Sequence, residues 1–342
     1  MQPVRQKDKL AMNGRETGPA TGGRQRVRSR LRRRPGYAVL AALLVAAAAS
    51  GCAAGEDSGA AARSAKAQAG QPGAPAGQPG AQAEPAAGAL GTRAAQAERA
   101  RLAQAARAVA AKKWDLAATP LAAPVPPAKK PHIATRKGFE VEGQDDSLPP
   151  VFTRVPTTDK VVFLTMDDGD DKDPELLKMM AELNIPYSAF LTDYLVRDDY
   201  TYFEDAQSRG TVIGNHTLNH RYLPGLSRDE QKREICGQQD ILEKQFGKRP
   251  RLFRPPYGNY NTDTLKIAKS CGITAVPLWE AEAFPDRMEW REEDQKLHPG
   301  DIILTHFRGK ADWKGSMPDL VRSVMKVITD QGYSVARLED YV

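Results

Sequence analysis

An α/β fold is predicted for the C-terminal part of this chain, on three observations. Short β-branched apolar runs alternate with helical patterns about seven times between residues 148 and 342, which calls for a parallel sheet covered by helices. Runs such as Val161-Val162-Phe163-Leu164 lack polar alternation, so the strands are buried on both faces. Almost all the aromatic and β-branched residues lie beyond about Pro131, so this part alone can bury a sizeable core. An irregular (β/α)7-type barrel related to the TIM barrel fits the length better than an open sheet, although periodicity alone does not separate the two.

The chain opens on a basic leader. Residues 1–34 hold eleven Lys/Arg against two Asp/Glu, about +9, while the whole chain sums to +6. Everything after Arg34 is therefore slightly acidic, and the sequence pI of about 9.1 gives no argument for nucleic-acid binding. The basic stretch Arg24 to Arg34 precedes an apolar run from Tyr37 to Ala49. These are the n-region and h-region of a signal segment over residues 1–51, too short to remain as a membrane span. Ala49-Ser50-Gly51-Cys52 resembles a bacterial lipobox, with Ala49 where Leu is usual. That resemblance implies lipidation of Cys52 and a lipid anchor in the membrane. An ordinary secretory leader is the alternative, and Arg33-Arg34 also permits a twin-arginine route. Each route puts the mature protein outside the cytoplasm, anchored to the outer face of the cell membrane or secreted.

Residues 52–147 read as an Ala/Pro/Gly-rich disordered linker. Gln71 to Gly80 nearly repeats itself, and Pro120 to Pro131 is proline-rich and extended. Thr92 to Trp114 has helical composition, but its apolar residues are nearly all alanine and would bury little. A tether of this kind suits a domain reaching from a membrane into a cell wall.

The predicted elements of residues 148–342 follow in order. Val161 to Met166 is a strand, and Pro174 to Leu183 a helix with proline in its first turn. Tyr187 to Leu191 is a strand, Tyr200 to Ser208 a helix, and Val212 to Gly214 a strand. Ser227 with Glu230 forms a capping box that opens a helix to Phe246. Leu252-Phe253 is a short strand, Thr262 to Ser270 a helix, and Ile273 to Val276 a strand. Asp301 to Thr305 is a strand, Pro318 to Asp330 a helix, and Tyr333 to Ala336 a strand.

Four constellations sit at strand ends. Thr165-Met166-Asp167-Asp168-Gly169 places two adjacent carboxylates and a turning glycine after the first strand. In His216-Thr217-Leu218-Asn219-His220 the histidines stand at i and i+4, which on one helical turn would grip a single ion. Asp168 would complete a His/His/carboxylate set with open positions, suited to zinc or another divalent first-row ion such as cobalt. Arg254-Pro255-Pro256-Tyr257-Gly258 is a stiff loop in which Arg254 can orient a carboxylate and the Tyr257 N–H can be fixed. Leu304-Thr305-His306 ends the strand that begins at Asp301. Strand C-termini of a βα barrel converge on one face, so the four can meet.

These four motifs, in this order, resemble those of the polysaccharide deacetylase family, carbohydrate esterase family 4, over roughly residues 150 to 342. The first motif carries Met166 where Phe is usual. The resemblance implies a catalytic domain over 148–342 that removes acetyl groups from a polysaccharide. It implies that Asp168, His216 and His220 bind a divalent metal and that Asp167, oriented by Arg254, is the general base. It implies that the Tyr257 N–H stabilises the oxyanion, that His306 protonates the leaving amine, and that Tyr257 and Trp279 contact substrate. The expected reaction is N-deacetylation of an extracellular aminosugar polymer, with peptidoglycan favoured by the tether. Chitin oligomers, an O-acetyl ester of the xylan type, or a non-catalytic wall-binding role are the alternatives.

The fourth motif of the family normally supplies an aspartate to the catalytic histidine. Here the region reads Pro277-Leu278-Trp279-Glu280-Ala281-Glu282-Ala283-Phe284-Pro285-Asp286. Glu280, Glu282, Asp286 or no residue at all could partner His306. Cys236 and Cys271 are the two cysteines of the folded part, and an extracytoplasmic setting allows either a disulfide or two buried thiols.

Overall fold

The structure is a computed structural model that describes residues 86–342. The signal segment, Cys52 and the repeat at Gln71 to Gly80 lie outside the described residues. In chain order the elements are α1 (Ala86–Lys113), β1 (Val151–Phe152), β2 (Val161–Asp168), α2 (Pro174–Leu183), β3 (Ser188–Leu191), α3 (Asp193–Val196), α4 (Thr201–Ser208) and β4 (Val212–Asn215). There follow α5 (Arg228–Phe246), α6 (Thr262–Ser270), β5 (Val276–Pro277), β6 (Ala281–Ala283), β7 (Met288–Trp290), β8 (Ile302–His306), α7 (Met317–Asp330) and β9 (Ser334–Val335).

Local chemistry explains the helix limits. Asp173 caps α2 by accepting from the Glu175 N–H, Pro174 takes the first turn, and Asn184 stops the helix in a left-handed conformation. The Ser227/Glu230 capping box opens α5, and Gly247 closes it at φ 69°. Ser316 and Asp319 make the same box on α7, whose buried stripe is Met317, Leu320, Val321, Val324, Met325 and Ile328.

Every residue of β2 is buried, as the sequence predicts for a central strand. The main ladder runs β4-β3-β2-β8-β6-β7, and β9 pairs with the start of β2. All these pairs are parallel except β6 with β7. β1 and β5 form a separate parallel pair. Single parallel bridges, Asn215 with Phe253 and Leu252 with Ala275, carry the pairing on from β4 towards β5. Leu252-Phe253 is thus a pair of bridges and not a full strand. The β6–β7 hairpin and the short α3 were not foreseen.

Side chains alternate along the strands between two cores. Val162, Leu164 and Met166 of β2 pack with Leu191, Ile303 and the helices. Val161 and Phe163 pack with Phe190, Phe253, Leu304 and Trp279. Strand geometry then puts Thr165 and Asp167 on the second face, and on β8 it puts His306 there beyond Ile302 and Leu304. Register aligns Asp167 with His306, and Asp168 with Leu191. Leu191 in turn faces Asn215, the residue before His216. The motif residues therefore reach one edge because the ladder is parallel and in step.

Residues 86–147 correct the linker expectation. They belong with the rest of residues 83–342 in one compact unit. Ala110 and Ala111 of α1 are buried, and Arg107 Nε donates to the Leu183 carbonyl at 3.2 Å. Glu182 accepts from Lys113 Nζ at 2.6 Å and from Trp114 Nε1 at 2.7 Å. Further on, Leu121 bridges to Ser334, and Lys130 Nζ donates to the Glu339 and Val342 carbonyls. Ile133, Phe139 and Val141 pack on the second core. Residues 94–106 of α1 are exposed and, among its described residues, only Arg107, Ala110 and Ala111 are buried. The helix buries little, as its composition predicts, yet its C-terminal end is docked on the domain. The disulfide alternative is realised as well. Cys236 of α5 is bonded to Cys271, the C-terminal cap of α6, with Cα atoms 5.3 Å apart.

Arg136 makes the most consequential of these contacts. Its guanidinium binds the buried Glu280 and donates to Thr153 Oγ1 at 2.5 Å. Removing one partner of a buried ion pair strands the other charge. Arg154 Nη2 remains 3.9 Å from Glu280, which softens the loss. Arg136→Met is therefore expected to destabilise the protein by about 2–3 kcal/mol, below the full cost of a broken buried pair. Adding Glu280→Gln should return part of it. Urea unfolding of the single and double variants checks this; equal midpoints for wild type and Arg136→Met would contradict it.

Candidate metal centre

Asp167 and Asp168 end β2 but play different geometric parts. Asp167 continues the strand, with Oδ1 accepting from Arg254 Nη1 at 2.7 Å. Asp168 leaves it at φ 76°, which turns its carboxylate back over the same edge. Gly169 follows at φ 93°, and a Cβ there would lie 2.4 Å from Val196 Cγ1, so only glycine fits.

The histidine loop departs from the helical turn expected of its spacing. Thr217 and His220 both have positive φ, and the segment is irregular. The two rings still meet, with centroids 4.9 Å apart. α5 folds the loop: Glu234 accepts from the Asn219 N–H at 2.8 Å and from Asn219 Nδ2 at 2.9 Å. Asn215 Oδ1 takes the Thr217 N–H, while its amide donates to the Ile235 carbonyl and to Gln239 Oε1. Gln238 Nε2 donates to the Leu191 carbonyl at 2.8 Å. The buried polar residues of α5 serve as the template for this loop. The sequence reading missed them, although Glu234 and Gln238 at i and i+4 on a buried face were a signal.

His216 Nδ1 lies 2.6 Å from the Arg254 carbonyl, which can only accept, so Nδ1 carries the proton and Nε2 faces the site as a lone pair. Asp168 Oδ1 lies 3.6 Å from His216 Nε2 and 3.4 Å from His220 Nε2. The ligand atoms of Asp168, His216 and His220 all fall within 4.8 Å of one another. Asp168 Oδ1 is buried and has no hydrogen-bond partner among the described residues. A buried, unpartnered carboxylate oxygen costs free energy unless something positive meets it. An oxygen between two neutral imidazole nitrogens is a donor set that fits a divalent first-row ion.

On one side of the triad lies the Asp167–Arg254 pair. Arg254 is fully enclosed, with Nε donating to the Pro277 carbonyl, Nη1 to Thr165 Oγ1, and its guanidinium over the Phe190 ring at 4.4 Å. Burial pushes the Asp167 carboxyl up, against the opposing pull of Arg254 and His306. On the other side His306 Nδ1 stands 3.4 Å from Glu282 Oε1. The open question of the fourth motif is thereby resolved in favour of Glu282. Glu280 is bound instead by Arg136, and Asp286 pairs with Arg287 at the surface.

Tyr257 stands at φ 60°, its ring 4.7 Å from that of His220. Trp279 is mostly buried beneath this loop, and a Cβ on Gly258 would approach its ring at 3.1 Å. Arg308 is a site residue that the motifs did not reveal; its Nη2 donates to Asp168 Oδ2 at 2.7 Å. Among the described residues, four of the seven non-glycine residues with positive φ (Asp168, Thr217, His220 and Tyr257) belong to these loops, so backbone strain is concentrated where the chemistry lies. Cavities of about 350 and 260 Å3 lie elsewhere, around Gly210, Thr211 and Arg337, and hold none of these residues.

Comparison with known proteins agrees with this geometry. A family model described as polysaccharide deacetylase matches residues 154–276. An uncharacterised protein of Streptomyces coelicolor is 40% identical over 196 residues, covering 57% of this chain and 78% of that protein. Peptidoglycan-N-acetylmuramic acid deacetylase PdaC of Bacillus subtilis is 30% identical over 210 residues, covering 57% of this chain but only 42% of PdaC. The solved structure of the Bc1960 peptidoglycan N-acetylglucosamine deacetylase aligns at a TM-score of 0.50 with 24% identity, over 57% of this chain and 94% of that one, and supports the α/β fold.

Burial holds both His216 and His220 down to about 4, against the pull of Asp168. Unfolded, each would take a proton near pH 6.5, where the folded protein does not. The metal-free protein should therefore be fully stable above about pH 6.5 and lose a few kcal/mol as pH falls towards 4. Urea midpoints measured in the presence of a chelator test this, with His220→Ala expected to show a shallower fall than wild type. Identical slopes would contradict the assignment.

Proposed function

Because this chain belongs to the polysaccharide deacetylase family, we propose that it is a metal-dependent hydrolase that removes N-acetyl groups from an extracellular aminosugar polymer, peptidoglycan being favoured. The observation that carries this reading is the unpartnered Asp168 Oδ1 between two histidine nitrogens, flanked by an Arg-held aspartate and a Glu-held histidine. The circuit of ladder and single bridges is read as the irregular barrel that gathers these side chains.

A divalent ion, zinc in this proposal, would acidify water towards neutrality and draw charge from the acyl oxygen. Asp167 takes the proton of the attacking water as general base. Arg254 fixes which of its oxygens is free to do so, by occupying Oδ1. The Tyr257 N–H, on its stiff loop, donates to the developing oxyanion. His306 gives a proton to the departing amine as the carbon–nitrogen bond breaks and acetate leaves. Glu282 Oε1, 3.4 Å from His306 Nδ1, would stabilise the imidazolium by its charge and favour a proton on that nitrogen. Tyr257 and Trp279 line the approach for the sugar.

The altered fourth motif was the one feature favouring a non-catalytic wall-binding protein, and the approach of Glu282 Oε1 to His306 Nδ1 supports the catalytic reading instead. The relative at 30% identity acts on peptidoglycan, which supports that polymer here. The basic leader and the lipobox-like Cys52 complete the proposal with a lipid anchor on the outer face of the membrane. If so, Cys52→Ala should move the protein from the membrane fraction to the soluble one. Unchanged fractionation would count against the anchor.

Acetate release decides the activity. The full chain is expected to release acetate from peptidoglycan fragments faster than from chitin oligomers or acetylated xylan, and to stop when a chelator is added. Asp167→Asn should lose about 100-fold or more in kcat while still binding metal. No release from any of the three by the metal-loaded protein would overturn the reading.

A further inference from the structure

Arg308 stands two residues beyond His306 and has no part in the roles above. Its guanidinium forks across the two ends of the Asp167–Asp171 turn: Nη2 donates to Asp168 Oδ2 at 2.7 Å and Nη1 to Asp170 Oδ2 at 3.0 Å. The backbones on either side are also tied, by Phe307 N–H to the Asp167 carbonyl at 3.1 Å and Asp171 N–H to the Phe307 carbonyl at 3.0 Å. Arg308 is thus held rigidly against the turn, half-buried. The two oxygens of Asp168 are divided between different partners. Oδ2 is taken by Arg308, and Oδ1 alone faces His216 and His220.

We propose that Arg308 is a positioning residue that restricts Asp168 to one ligating oxygen, keeping the remaining metal positions open for water and the acyl oxygen. The inference rests on the metal reading of the same site. A free carboxylate can offer both oxygens to a divalent ion, and the positive φ of Asp168 fixes its backbone but not the rotation of its carboxylate. A guanidinium fork anchored on Asp170 fixes that rotation. Releasing it adds a ligand and removes a neighbouring positive charge. Both changes favour the bound ion and work against turnover. A residue of merely structural value would lower metal affinity and activity together; Arg308 should separate them.

The experiment compares the full chain with Arg308→Ala, Arg308→Lys and Asp170→Asn, each loaded with zinc for kinetics and with cobalt for its visible spectrum. Arg308→Ala is expected to bind zinc at least as tightly as wild type, to lose about 10- to 100-fold in kcat, and to show severalfold weaker cobalt absorption as coordination number rises. Arg308→Lys, which keeps the charge but not the fork, should recover only part of each. Asp170→Asn leaves Arg308 in place with a weakened anchor and should move the spectrum in the same direction, which keeps the test open if Arg308→Ala does not fold. An unchanged cobalt spectrum in metal-loaded Arg308→Ala and Asp170→Asn would overturn the role of Arg308 alone. Failure of the wild-type chain to bind zinc or cobalt would overturn the metal reading and this inference with it.

Discussion

The buried pair of Arg254 and Asp167 is the constraint on which the rest depends. An arginine with no exposed surface is tolerable only if its donors are met, and here a strand carboxylate, a threonine hydroxyl and main-chain carbonyls meet them. Those acceptors come from β2, from Pro277 at the end of β5 and from Leu278 just beyond it. The Arg254 carbonyl fixes His216, and its own N–H is taken by the Asn215 carbonyl. One side chain and its peptide group thus lock three parts of the chain to each other at the strand ends. Such a network is costly if any member is lost, and it leaves Asp167 in a single orientation beside Asp168.

Much of this was legible in the sequence, for physical reasons. The buried strands have no polar alternation, the caps of α2 and α5 are local chemistry, and a parallel register brings strand ends level. Asp167, Asp168, His216, His220, Arg254 and His306 could therefore be expected at one edge. How they get there was less legible. The i, i+4 spacing of His216 and His220 suggested a helical turn, whereas the loop is held by side chains of α5 and by positive φ at Thr217 and His220. Spacing alone does not encode partners donated by a distant helix.

The choice among Glu280, Glu282 and Asp286 shows the same limit. Strand alternation puts Glu280 and Glu282 on the same face, so period could not choose between them. Arg136 decides, by claiming Glu280. It lies in a stretch whose composition resembles a tether, and only tertiary contact reveals that this stretch completes the domain. Alanine-rich α1 misleads for a related reason, since composition measures how much a helix can bury but not what it lies against. Arg308 is invisible to motif reading because its contacts join two loops whose proximity is a product of the sheet.

The central claim is that Asp168, His216 and His220 together hold one divalent ion. Anomalous diffraction at the zinc edge, from crystals of the protein grown with zinc, tests it most directly. The account predicts one strong peak at about 2.0–2.2 Å from Asp168 Oδ1 and from the Nε2 atoms of His216 and His220. A peak bound elsewhere, or none at the triad in zinc-saturated crystals, would contradict it.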